Sequence, residues 1–437
     1  RIGADLAFAR STSDGSIAYG DHAFDRTNLR FQLTGPGQQT DLFAGYQTKF
    51  FSWPNLYTPF GVIETEDLRT ALVLLNHRRT WGTDNWIEVG ASWRRNDDHY
   101  VYDRWAPKGL YRHTSWARSL ALAGRADLAP IILNFQAQLL DDSLQSTTLN
   151  FGRYHTRTYT KLALAPEKTW TLGERQRLTL KTGATFDDTN RDASAVSPLA
   201  ELVHEQTLTD GTVRRLALSY AQTTQVATYT ALNASATSGL FRGNALLGRE
   251  TSHQLELSGA QLLAGWKLRA AVFYRYDDQL VDWTFRQGVT ARTANPVDLN
   301  NTGVELSATH AWSHLDLLLS YTGITKSADY GQATIDGSFY ALNYPKHRAT
   351  AAVIARLGAG FELRLDNELR QQADNPLRRA HGTTAYRAAA SLLYRPTALP
   401  HLVLTVQVDN LFDSEFEEVP AVPAARRQFA ASTSYSW

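Results

Sequence analysis

Hydrophobic and polar residues alternate with a period of two along most of the chain. In FELRLDNELR (361–370), Phe361, Leu363, Leu365 and Leu369 fall on one side, and Glu362, Arg364, Asp366, Glu368 and Arg370 on the other. WKLRAAVFYRYD sets Trp266, Leu268, Ala270, Val272, Tyr274 and Tyr276 against Lys267, Arg269, Phe273, Arg275 and Asp277. The last ten residues, QFAASTSYSW, put Phe429, Ala431, Thr433, Tyr435 and Trp437 on one face. Strict alternation means strands with one apolar and one wet face. Many predicted strands run to about 11 residues or more, enough to cross an apolar band of about 25 Å when tilted. Strands of soluble proteins average about half that length, and a soluble sandwich would not confine its charges so consistently to one face.

The connections alternate as well. Short links rich in Gly, Pro and Asp at 35–39, 209–212, 263–265, 358–360 and 396–400 suit tight reversals. Long links are expected at 51–65, 97–112, 226–250, 283–297, 327–345 and 412–426. This predicts an all-β fold: a transmembrane antiparallel up-and-down β-barrel of about 20–22 strands, one domain over residues 1–437, with two unlike ends. The rule counts about 20 strands, an even number that leaves both termini at one end. The last strand is expected to close against the first, its apolar face toward lipid and Trp437 at an interface.

Composition narrows the function. Lys+Arg 44 against Asp+Glu 43 leaves a net charge of +1, which gives nucleic acid no electrostatic footprint. The absence of cysteine excludes thiol catalysis, Cys-ligated metal and a disulfide framework. No apolar run approaches the roughly 18 residues of a spanning helix. The 11 Trp, 19 Tyr and 18 Phe suit a membrane–water girdle or a ligand surface. A chain that starts at Arg1, with no initiator Met and no apolar signal segment, reads as a processed or truncated piece of a longer product.

Several stretches resemble the TonB-dependent outer-membrane transporters. VQVDNLFDSEFEEVPAVPAARRQFAASTSYSW (406–437) is similar to their closing region, a strand ending in Asn-Leu-Phe-Asp before a Pro-containing loop and a final aromatic strand. GLFRGNALLGRETSHQLELSG (239–259) resembles their Gly-Asn-x-x-Leu loop, NNTGVELSA (300–308) their Gly-x-Glu strand start, and ALNYPKHRATAAV (341–353) their passage from loop to strand. The likeness covers residues 187–437, with weaker support upstream, and the cobalamin- and siderophore-receptor branches look similar. It implies a 22-stranded barrel in the bacterial outer membrane around an N-terminal plug that this chain does not contain. The count then falls one hairpin short, and the gap is expected between Pro166 and Ser194. The implied partners are outer-membrane lipid, a bulky small-molecule ligand such as a metal chelate, and TonB acting through the plug; the protein is expected to be monomeric. The implied function is import of a cobalamin or ferric siderophore, and the alternative is a passive porin-like channel.

Enzyme signatures are missing, so no catalytic residue, cofactor or metal ligand is assigned. GNALLGRE (243–250) has phosphate-loop spacing but offers Arg249-Glu250 where Lys-Ser/Thr is needed, and His204-Glu205 is followed by Leu208 where a zinc-protease pattern needs His. Acids at Asp97-Asp98 and from Asp187-Asp188 to Asp192 supply hard oxygen donors of the kind Ca²⁺ uses, although solvated loop acids are the favoured reading. Substrate contact is expected from rigid aromatics on long loops: Trp53, Tyr57 and Phe60 in FFSWPNLYTPF, and Tyr229, Phe241, Trp283 and Tyr340.

Overall fold

The computed structural model describes residues 1–107, 110–378 and 382–436. One sheet contains β1 (Ile2–Ser13), β2 (His22–Gly35), β3 (Gln38–Pro54), β4 (Ile63–Trp81), β5 (Asn85–Val101), β6 (Leu110–Asp127), β7 (Ile132–Ser146), β8 (Thr156–Gly173), β9 (Gln176–Thr189), β10 (Asp192–Thr207), β11 (Val213–Val226), β12 (Phe241–Arg242), β13 (Arg249–Leu263), β14 (Trp266–Phe285), β15 (Arg292–Ala311), β16 (Leu315–Asp329), β17 (Gly337–Ser338), β18 (Pro345–Gly358), β19 (Phe361–Gln372), β20 (Thr384–Tyr394), β21 (Leu402–Asp409) and β22 (Gln428–Tyr435). A single helical turn, α1 (Tyr229–Asn233), sits in the link after β11. Twenty strands build the wall, each antiparallel to the next. Two more, β12 and β17, are two-residue segments inside long links, where β12 pairs in parallel with β15 and β17 pairs with β14.

Registers confirm the two faces. Leu365 lies opposite Val353 and Ala390 on the outward side. Inward, Arg348 and Arg370 both pair with Glu368, and Arg364 pairs with Asp366. Strand ends near the short turns carry outward aromatics: Phe361 stacks on Tyr394 at 4.3 Å, and Trp266, His310 and Trp312 cluster. The longest strands, β14 and β15, have 20 residues each. At about 3.3 Å per residue and a tilt near 45°, they rise roughly 45 Å, well beyond an apolar band of about 25 Å. The excess projects at the long-link end, where outward ion pairs Arg69–Asp67 and Arg95–Asp97 mark water rather than lipid.

The buried core lies at that projecting end. A wall one strand thick has no second layer to pack on, so apolar burial occurs where long links fold over the strand tips. Leu144, Leu149, Tyr229 and Ala234 form one cluster, Ala227, Ala231, Leu232 and Ala294 a second, and Val297, Leu299 and Ala341 a third.

Three expectations need correction. The hairpin placed between Pro166 and Ser194 is not missing there: β8 turns into β9 at 174–175, β9 into β10 at 190–191, and the strands that raise the total to 22 are β12 and β17. Two of the long links are also shorter than read, 55–62 and 286–291, because the strands continue above the bilayer, whereas the link expected at 412–426 spans 410–427. Finally, no ladder joins β22 to β1 among the described residues, and every residue of both strands is exposed. Closure requires strand number, tilt and stagger to agree, a condition that local alternation does not encode. Trp437 lies outside the described residues.

Candidate binding cavity

The long link after β3 is anchored by one buried acid. Glu64, 0% exposed, accepts hydrogen bonds from the backbone N–H groups of Tyr57 (2.7 Å) and Thr58 (3.3 Å), from the Thr58 hydroxyl (3.1 Å) and from the Tyr100 hydroxyl. This holds Tyr57 against Tyr100, with ring centroids 5.5 Å apart. The link 227–248 is fixed in the same manner. Thr228 caps α1 through Ala231 N–H, and Asn233 donates to Tyr154 O at 2.9 Å. Arg157 binds Asp142, lies over the Tyr229 ring at 4.2 Å, and Tyr229 donates to Asp142 Oδ1 at 2.6 Å. The β12–β15 pairing then brings Phe241 beside Trp283, with centroids 5.7 Å apart. In the next link, Asp282 accepts from the Tyr330 hydroxyl (2.7 Å) and from Tyr340 and Ala341 N–H (3.3 and 3.1 Å).

These anchored links and the inward strand tips enclose a cavity of about 580 Å³, within the usual range for small-molecule sites. Its wall is aromatic, with Tyr57, Tyr100, Tyr111, Phe241, Trp283 and Tyr340, and its ionisable acidic and basic members are Glu66, Asp98, His113 and Arg292. Arg292, 2% exposed, lies 3.7 Å over the Phe339 ring and donates to the Tyr340 hydroxyl at 3.0 Å. Glu66 is 5% exposed, and its Oε2, like Asp98 Oδ1, is buried without a hydrogen-bond partner. All of these groups stand above the outward Asp67 and Arg69 level or beside it, outside the lipid band. Burial first and Asp98 second push the Glu66 carboxyl up to about 8. Burial, then Glu66, raises the Tyr57 hydroxyl, and burial lowers the His113 imidazole.

Four of the seven sequence-predicted residues meet in this cavity: Tyr57, Phe241, Trp283 and Tyr340. The other three do not line it. Trp53 belongs to β3 and donates its indole N–H to Pro423 O at 3.0 Å, Phe60 is half-buried in its link, and Tyr229 is buried beneath, bonded to Asp142. Tyr100, Tyr111 and Arg292 fell within the links expected at 97–112 and 283–297 without being singled out, Asp98 was weighed only as a calcium donor, and Glu66 and His113 lay just outside those links; all six sit on strands. Tyr100 shares its face with Asp98, and Tyr111 with His113; an aromatic in phase with the charged face near a strand tip was the available signal.

The acids considered for calcium are not loop residues. Asp97 points outward and binds Arg95 and Thr114, Asp187 lies inside β9 between Lys161 and Arg249, and Asp192 accepts from Arg249 N–H at 2.7 Å. No group of three metal-ligating side chains occurs among the described residues. The link 410–427 ties together the links after β3 and β17: Trp53 donates to Pro423 O, Asn55 Nδ2 to Ala421 O and Asn343 Nδ2 to Glu418 O.

A family model described as "TonB dependent receptor-like, beta-barrel" matches residues 5–411. No curated protein matches the sequence. Among solved structures, the siderophore receptor PirA from Pseudomonas aeruginosa superposes with a TM-score of 0.70 at 16% identity, over 100% of this chain and 74% of that one. The FrpB iron transporter from Neisseria meningitidis gives 0.75 at 10% identity, over 99% and 77%. The copper transporter OprC gives 0.71 at 14% identity, over 100% and 75%. At these identities the likeness speaks for the fold.

Proposed function

The chain belongs to the TonB-dependent receptor β-barrel family of the bacterial outer membrane, and on that premise we propose that it forms one barrel unit, acting as a monomer, that binds a metal chelate of the ferric-siderophore class for import driven through TonB. The observation that carries this reading is the aromatic cavity at the long-link end, large enough for a bulky ligand and built by several separately anchored links. Rigid aromatics give contact area at low entropic cost, while the anchored links limit what must be ordered on binding. The solved relatives, a siderophore receptor, an iron transporter and a copper transporter, support the metal-chelate class. Import of this kind breaks no covalent bond in the ligand, so no catalytic residue is required.

The test uses the receptor as cells make it, in detergent, titrated with ferric hydroxamate and ferric catecholate chelates while tryptophan emission is followed. Saturable quenching that Trp283→Phe and Phe241→Ala weaken supports the proposal. A receptor that binds none of these chelates yet conducts small solutes freely in planar bilayers is instead a passive pore.

A further inference from the structure

Glu64 and Glu66 lie two residues apart on the same face of β4 and differ sharply. Glu64 is saturated with donors. Glu66 leaves Oε2 buried and unpaired, and across the ladder Asp98 leaves Oδ1 in the same condition. A buried acceptor with no donor costs about 1–3 kcal/mol, and a buried charge costs more. The wall around them is aromatic, and aromatic faces attract cations. The one buried cation of the lining faces away from the acid pair: Arg292 donates through Nη1 to Tyr340 and has Glu64 and Tyr100, not Glu66 or Asp98, within electrostatic reach, while its Nε is buried without a partner. No lysine lines the cavity. No side-chain or backbone donor reaches these two oxygens, and the proton that Glu66 holds beside Asp98 is all that neutralises the pair, so the enclosure lacks a positively charged donor of its own.

We propose that this cavity selects a ligand bearing an alkylammonium group, which settles between Glu66 and Asp98 inside the aromatic wall formed by Tyr57, Tyr100 and Phe241. The inference rests on the import reading only for the site's role, and it narrows the ligand to a cationic chelate rather than an anionic one. The groups around the acid pair are Tyr57 from the link, Glu64 from β4, Tyr100 from β5, Tyr111 and His113 from β6, and Arg292 from β15. With its carboxyl pushed up to about 8 by burial and then by Asp98, Glu66 holds a proton at pH 7. An arriving ammonium displaces that proton, so affinity rises from pH 6 to pH 9.

tert-Butylammonium and tert-butanol, nearly equal in shape and different in charge, separate recognition of a cationic donor from simple cavity filling. Both are titrated into the receptor as cells make it, by ligand-observed saturation-transfer NMR. tert-Butylammonium binds at least about tenfold more tightly, as a desolvated cation–aromatic contact with a carboxylate partner implies. Glu66→Gln and Asp98→Asn, nearly isosteric changes, each bring the ratio to within about twofold. Equal binding of the two probes by the unaltered receptor, or tighter binding of methanesulfonate than of tert-butylammonium, overturns the inference without needing either variant to fold. The import reading fails separately, when no ferric chelate binds. A chelate whose affinity ignores an added ammonium group leaves import standing and removes only the cation preference.

Discussion

Leu365→Arg tests the face assignment at a position whose depth follows from the structure. Leu365 points outward, opposite Val353 and Ala390, four residues above Phe361, whose stack on Tyr394 marks the interface near the short turns. Four residues at about 3.4 Å, tilted near 45°, raise it by roughly 10 Å into an apolar band about 25 Å thick, close to the midplane. Arginine there costs about 2–4 kcal/mol. The neighbouring inward residue supplies the control. Arg364 pairs with Asp366 at 2.7 Å, and both side chains are half exposed (52% and 43%), so Arg364→Leu removes a pair worth about 0–1 kcal/mol and leaves Asp366 hydrated. Urea unfolding in lipid vesicles, followed by tryptophan emission, should separate the variants by about 1–4 kcal/mol. Equal destabilisation by the two changes refutes the assignment of faces, and with it the reading of β19 as a lipid-contacting strand.

Other perturbations probe the loops and the wall. Asp282→Ala orphans three donors at the base of the 330–344 link; it should cost about 3 kcal/mol locally and expose the link to trypsin or chymotrypsin, while an unchanged digestion pattern would contradict the anchor. Gly303→Ala would set its Cβ 2.3 Å from Phe273 Cζ, so urea unfolding should show a loss of about 1–3 kcal/mol from overpacking. Side-chain hydrogen bonds from Arg426 hold the Asp413 carboxyl below its ordinary value of 3.8. A depressed carboxylate contributes above its unfolded value and is lost as pH falls through its lower folded value. Pepsin should therefore cut the 410–427 link increasingly as pH drops below 3.8, and Arg426→Ala should make it equally sensitive at pH 4.5.

The sequence by itself determined the repeating unit. Side-chain direction in a strand has a period of two, so residues such as Leu363, Arg364 and Leu365 disclosed their faces without any knowledge of neighbours, and Gly- and Asp-bearing links such as 209–212 disclosed the short-turn end. Four of the cavity aromatics were legible for a related reason, being bulky apolar groups in long polar links. What only the tertiary structure decided depends on residues far apart in the chain. Glu64 and Glu66 look alike in sequence, and only the packing of the 55–62 link and Tyr100 supplies donors to the first and none to Oε2 of the second. Tyr229 and Trp53 match Tyr57 in chemistry, yet Asp142 and Pro423, 87 and 370 residues away, draw them out of the cavity. The relation between β1 and β22 belongs to the same class, since it sums tilt and stagger over every strand between them, and no local pattern carries that sum.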